Sequence, residues 1–166
     1  METALDLFLH ELRSTYDGER RQVRGLKTME RKVSNGDLRP LVEELRRASE
    51  EHVGRLEEAF ELIGEDPKPQ ESSSVKGLLQ EFSSFVRDEH PAPEVLDLYA
   101  ADHAMSLAQE GMAEYESLMQ LAERAGLMHS VPKLGDLFEP GMKQERRLAR
   151  KLKKVSEKLV DELRPS

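Results

Sequence analysis

Apolar residues recur at steps of three and four over four long stretches of this chain, and nowhere do they alternate with period two. A chain so patterned has to fold as helices that bury one stripe each. Stop signals set the lengths. The first helix is predicted over 4–33 and ends at Ser34-Asn35-Gly36. The second follows Asp37, read as its N-cap, and ends at Gly64. Residues 65–74 form a polar linker rich in Pro and Ser, and a short helix is predicted over 75–86. After His90-Pro91-Ala92-Pro93, the third long helix spans 94–125 and the fourth 132–163, with Pro140-Gly141 expected to kink the fourth or split off its first turns.

Helices of this length run about 40–45 Å at 1.5 Å per residue. Four of them pack as an antiparallel bundle. The long connection between the second and third returns the chain along the bundle and carries the short extra helix. One all-α domain covering 1–166 is expected. There is no Cys, which excludes disulfides, thiolate metal sites and cysteine nucleophiles. No apolar run approaches a membrane span, and the N-terminus has no basic leader region, so a cytoplasmic protein is expected.

The net charge of −8 argues against nucleic acid as the main partner. Charge is unevenly distributed. No Lys or Arg occurs between Asp88 and Glu123, whereas eight fall between Lys143 and Lys158. Because apolar spacing continues through that basic run, it reads as a solvated helix face beside an acidic neighbour. Met105, Met112 and Met119 read as core packing or a dimer seam, and a homodimer is the expected assembly.

Polar residues interrupt the predicted stripes. In the first helix the stripe Leu5, Phe8, Leu12, Tyr16, Glu19, Val23, Leu26, Val33 turns Glu19 inward. The second, Leu38, Val42, Leu45, Ser49, His52, Leu56, Phe60, Ile63, turns Ser49 and His52 inward. In the fourth, Glu145 lies between Met142 and Leu148. The third reads Val95, Leu98, Asp102, Met105, Ala108, Met112, Tyr115, Met119, Ala122, with His103, Glu110 and Glu114 on a second face. A buried, unpaired carboxylate costs several kcal/mol, so two inward Glu need partners. Either a metal ion or a protonated His supplies them. Glu19, His52 and Glu145 are therefore candidate metal ligands for iron, manganese or zinc, with Tyr16, Ser49 and Tyr115 as the shell behind them. A metal-free Glu–His hydrogen-bond cluster is the alternative. His10, His129 and the Glu89-His90 pair read as surface or helix-end groups. No phosphate-binding Gly loop, G-x-S-x-G or H-E-x-x-H occurs.

The same segments resemble the YciE/YciF-type ferritin-like family of bacterial stress-associated proteins. Thr15-Tyr16-Asp17-Gly18-Glu19 is similar to that family's T-Y-x-A-E, and Arg55-Leu56-Glu57-Glu58-Ala59-Phe60-Glu61-Leu62-Ile63-Gly64 to its R-L-E-x-x-F-E-x-x-G. Gly77-Leu78-Leu79-Gln80-Glu81 and Leu121-Ala122-Glu123 continue the likeness, and Leu137, Phe138, Met142 and Glu145 carry it into the last helix. The resemblance implies a ferritin-like bundle with carboxylate metal ligands on all four helices. Glu19 and Glu145 match that pattern. The second-helix E-E-T falls on Arg47-Ala48-Ser49, the third-helix E-H-Y-E on Ala108-Gln109-Glu110-Gly111, and the T-D after the last Glu on Leu148-Ala149. A six-ligand di-metal centre is thus not expected. What the resemblance implies is a stress-associated bundle with a depleted di-metal site. A metal-dependent oxidase or peroxide-handling protein with a reduced Glu/His site is the alternative.

Overall fold

A computed structural model describes residues 1–166. The chain is all-helical, with α1 (Ala4–Lys32), α2 (Leu38–Leu62), α3 (Ser73–Glu89), α4 (Pro93–Arg124), α5 (Leu127–Ser130) and α6 (Lys133–Glu162). Local chemistry sets the ends. Thr3 and Asp6 form a reciprocal capping box that opens α1. Asp37 stands at the N-cap position of α2 as expected, but its side chain makes no capping bond; instead Asn35 Oδ1 accepts from the backbone N–H groups of Asp37 and Leu38. The α1–α2 turn is pinned from α4, where buried Asp97 accepts from the Ser34 N–H, the Ser34 hydroxyl and the Asn35 N–H at 2.8, 2.8 and 3.0 Å. Gly126 takes a left-handed φ of 76° and turns the chain from α4 into α5.

The four long helices neighbour one another in the circular order α1, α2, α6, α4. Ion pairs and hydrogen bonds give their directions. Glu30 meets Arg46 and Glu19 meets His52 between α1 and α2, and Glu44 meets Arg147 while Glu58 meets Lys133 between α2 and α6. In each pair of helices one number rises as the other falls, so they run antiparallel. Asp102 to Ser156 and Gly111 to Glu145 show the same between α4 and α6. It follows that α2 and α4 point the same way, and the segment containing α3 carries the chain from one end to the other. On this return α3 packs on α1 and α4. Phe85 stacks on Tyr99 with ring centroids 3.8 Å apart, and Tyr99 lies 4.2 Å from His103. That cover explains why His103 is buried.

Three expectations are corrected. The buried face of α4 is Asp97, Ala100, Ala101, Ala104, Leu107, Ala108, Gly111, Tyr115, Leu118 and Ala122, rotated from the predicted stripe. Val95 and Asp102 are exposed, and Met105, Met112 and Met119 are only half-buried at the flanks. Small side chains hold the centre because α4 has its most extensive contact with α6. Leu5 is likewise exposed, one turn before α1 enters the core. Finally, α6 continues unbroken through Pro140. The proline ring is exposed, so the carbonyl one turn earlier that loses its N–H partner is left to water. The basic run of α6 is largely exposed; Arg147 pairs with Glu44 of α2 and Lys158 with Asp37 just before it.

Candidate metal centre

The core is two apolar clusters with a polar slab between them. One cluster gathers Phe8, Leu12, Leu56, Phe60, Tyr115, Leu118, Leu134 and Phe138, among others, and the second gathers Leu26, Leu38, Leu45, Leu107, Leu148 and Leu152 with their neighbours. Between them every long helix contributes its break in the apolar stripe: Glu19 and Gln22 on α1, Ser49 and His52 on α2, Gly111 on α4, Gly141 and Glu145 on α6. Burying a large apolar side chain yields about 1.5–3 kcal/mol, so the flanking clusters can offset a polar layer of this size.

Glu19, His52 and Glu145 come together in this slab, with 1%, 1% and 0% of their surfaces exposed. One ligand atom from each lies within 4.8 Å of the others. The His52 Nδ1–H donates to Glu19 Oε2 at 3.2 Å and lies 3.4 Å from Glu145 Oε1, while Nε2–H donates to Gln144 Oε1 at 2.9 Å. Burial works against a charged imidazole, but the Glu19 charge and the contacts with Glu145 and Glu19 outweigh it and raise the His52 pKa to about 10. The ring therefore favours its protonated form, with Glu19 on one side and Glu145 on the other. Burial pushes Glu145 up to about 7; the His52 contact acts against that rise and the Glu19 charge adds to it.

Hydrogen bonding at the slab is incomplete. Glu19 Oε1, both Glu145 oxygens and the Tyr115 hydroxyl are buried with no partner. Tyr115 packs edge-on against the His52 ring at 5.2 Å, and burial raises its phenol well above the usual range. Ser49 donates to Gln22 Oε1 at 3.3 Å, and Tyr16 packs edge-on against Phe60 with ring centroids 5.6 Å apart. The two glycines make the space. A Cβ at Gly111 would stand 3.0 Å from Glu145 Cδ, and one at Gly141 would stand 3.4 Å from His52 Nε2 and from Tyr115.

The donor set and the orphaned oxygens fit one divalent cation. Glu19, Glu145 and the Nδ1 of His52 would hold it, with the Nε2–H bond to Gln144 fixing the ring. Such an ion would supply charge compensation and open coordination positions. They do not fit two ions 3.5–4 Å apart, which need bridging carboxylates. Opposite Glu145, α4 presents buried Gly111, with buried Ala108 one turn earlier, and neither can coordinate a metal through its side chain.

Other groups were less legible in the sequence. Half-buried Glu114 is pushed up to about 9 by burial and by the charges of Glu110, Glu19, Glu11 and Glu145. Gln144, which precedes Glu145, and Gln22 join the slab although nothing in their residue type marks them. His10 is half-buried and His129 exposed, and exposed His90 closes α3 with a φ of 47°.

Comparison with known proteins agrees with this fold. The crystal structure of the E. coli stress protein YciF has a TM-score of 0.86 at 23% identity, covering 98% of this chain and 100% of that one. YcfI from Rhodopseudomonas palustris has a TM-score of 0.85 at 24% identity, covering 92% and 94%. At those identities the likeness establishes the all-helical fold. No curated protein matches the chain. No helix is long and apolar enough to cross a membrane. The profile of the domain of unknown function DUF892 matches residues 3–163, and with the YciF fold on the same residues, this chain belongs to the DUF892 family.

Proposed function

We propose that this protein is a stress-associated, ferritin-like four-helix bundle of one domain, with α3 as the extra helix of its crossover, whose metal site is reduced to one cation or none. It works in the cytoplasm as a bundle, as a homodimer, and not as a di-metal oxidase. The observation that carries this reading is the Glu145 carboxylate lying directly over Gly111, in space that a bridging carboxylate from α4 would need. The name of YciF as a stress protein, on a chain of the same fold, supports the stress association. Metal content tests the reading. Protein loaded with excess iron(II) or manganese(II) and then desalted should retain at most one ion per chain. Two tightly held ions per chain would overturn it.

A second reading is favoured by the unpartnered oxygens of Glu19 and Glu145. A single iron or manganese on Glu19, His52 and Glu145 would support oxidase or peroxide-handling chemistry, with Tyr115 beside it. Metal-dependent peroxide consumption that disappears in Glu19→Ala would favour this reading. Consumption unchanged in that variant, or absent with every metal, would reject it.

A further inference from the structure

The outer face of α1 carries Arg20, Arg21, Arg24, Lys27, Arg31 and Lys32 in a chain that is acidic overall. Where α3 crosses this face, a groove of about 420 Å³ opens on the surface, lined by Arg21 and Arg24 from α1 and by Lys76, Leu79, Gln80, Ser83, Ser84 and Arg87 from α3. The α3 residues 76, 80, 83, 84 and 87 recur at helical spacing and form one stripe. Two glycines seat α3 closely on α1. A Cβ at Gly25 would fall 2.6 Å from Leu79 Cδ2, and one at Gly18 would fall 3.1 Å from Val75 Cγ2. Leu79 thus forms the apolar floor and the charged side chains form the walls.

The groove has unused donors. Arg24 makes no ion pair, and Gln80, Ser83 and Ser84 have no side-chain hydrogen bond, whereas Arg21 is held by Asp17 at 2.7 Å, Lys76 by Glu71, and Arg87 by its exposed neighbour Asp88 at 2.8 and 3.1 Å. Four cations with free hydroxyl donors match the oxygens of phosphate groups, for which guanidinium gives paired, charge-assisted bonds. The site is short. From Lys76 to Arg87 the helix rises about 16 Å at 1.5 Å per residue. Carboxylates close both ends, Asp17 and Glu71 at one and Asp88 and Glu89 at the other. A long polyanion lying along this face would run into them.

From these placements we infer that the α1–α3 groove binds a small molecule carrying a chain of phosphates, with unpaired Arg24 as its principal contact, Arg87 exchanging its exposed Asp88 partner for a phosphate, and Ser83 and Ser84 as additional donors. The site is separate from the Glu19–His52–Glu145 slab and does not depend on any metal there.

Calorimetric titration of the full chain with inorganic tripolyphosphate tests this, alongside orthophosphate and a short DNA duplex. Tripolyphosphate should bind saturably at one site per chain, more tightly than orthophosphate, and more weakly as salt rises. Losing one charge-assisted contact should weaken it about tenfold in Arg24→Gln and again in Arg87→Gln, with helix content unchanged. Arg150→Gln, in the basic run of α6, should leave binding as it was. The inference is overturned if tripolyphosphate shows no saturable binding, if Arg24→Gln and Arg87→Gln bind as wild type, or if the duplex binds more tightly and loses affinity in Arg150→Gln.

Discussion

Glu145 and Gly111 face each other across the α4–α6 contact so closely that Glu145 Cδ would be 3.0 Å from any β-carbon placed on Gly111. The glycine exists for that carboxylate, not for a turn, since it lies in the middle of a 32-residue helix. Glycine there costs the helix up to about 1 kcal/mol relative to alanine.

Gly111→Ala should therefore separate two opposing effects. Helix propensity favours alanine by up to about 1 kcal/mol, while crowding a packed core costs about 1–3 kcal/mol. Glu145 is fully buried and has nowhere to retreat, so crowding should win. The expected result is a net loss of about 1 kcal/mol by urea unfolding. A stabilised variant would show that the contact is slack.

His52→Ala removes the cation between two buried carboxylates. Breaking a buried pair from one side costs about 3–5 kcal/mol, and that is the loss expected at neutral pH in metal-free protein. The deficit should shrink toward pH 5, where Glu145, raised to about 7, takes up a proton instead. Equilibrium unfolding at the two pH values measures it. A loss below about 1 kcal/mol at pH 7 would mean that the imidazolium is not balancing these carboxylates.

Metal-free protein should lose stability as pH rises from 6 to 9. His52 is raised from 6.5 to about 10, so its contribution is complete below pH 6.5 and fades as pH climbs toward 10. Glu145, raised from 4.5 to about 7, and Glu114, raised to about 9, are also proton-loving in the fold. Their contributions are complete below pH 4.5 and fade up to pH 7 and pH 9. All three act in one direction. Urea midpoints across this range should fall steadily, and a flat or rising profile would contradict the assignment.

Tyr115→Phe removes a buried hydroxyl that has no partner. An unsatisfied buried polar group costs about 1–3 kcal/mol, so the metal-free variant should be as stable as wild type or more so. Thermal unfolding reads this directly. A loss larger than about 1 kcal/mol would show that the hydroxyl is bonded in solution.

Much of this arrangement could be read from residue order. On α1, α2 and α6 the apolar partners are large, so Glu19, His52 and Glu145 stand out as interruptions of a stripe, and the structure brings the three together. The α4 face could not be read in that way. Its centre is Ala100, Ala101, Ala104, Ala108 and Gly111, and the large residues Met105, Met112 and Met119 lie beside it, so hydrophobic size pointed to the flank. The capping oxygen of α2 comes from Asn35, two residues before the N-cap position held by Asp37, because the turn already bends back at Asn35. The basic groove needs α3 laid across α1, and no local pattern in either helix announces that crossing.

An anomalous-scattering map of crystals soaked in manganese(II) tests the central claim most directly. It should show one peak, or none, bounded by Glu19, His52 and Glu145, with the Glu145 carboxylate still over Gly111. Two peaks about 3.5–4 Å apart in that slab, or a His52 ring turned away from both carboxylates, would contradict it.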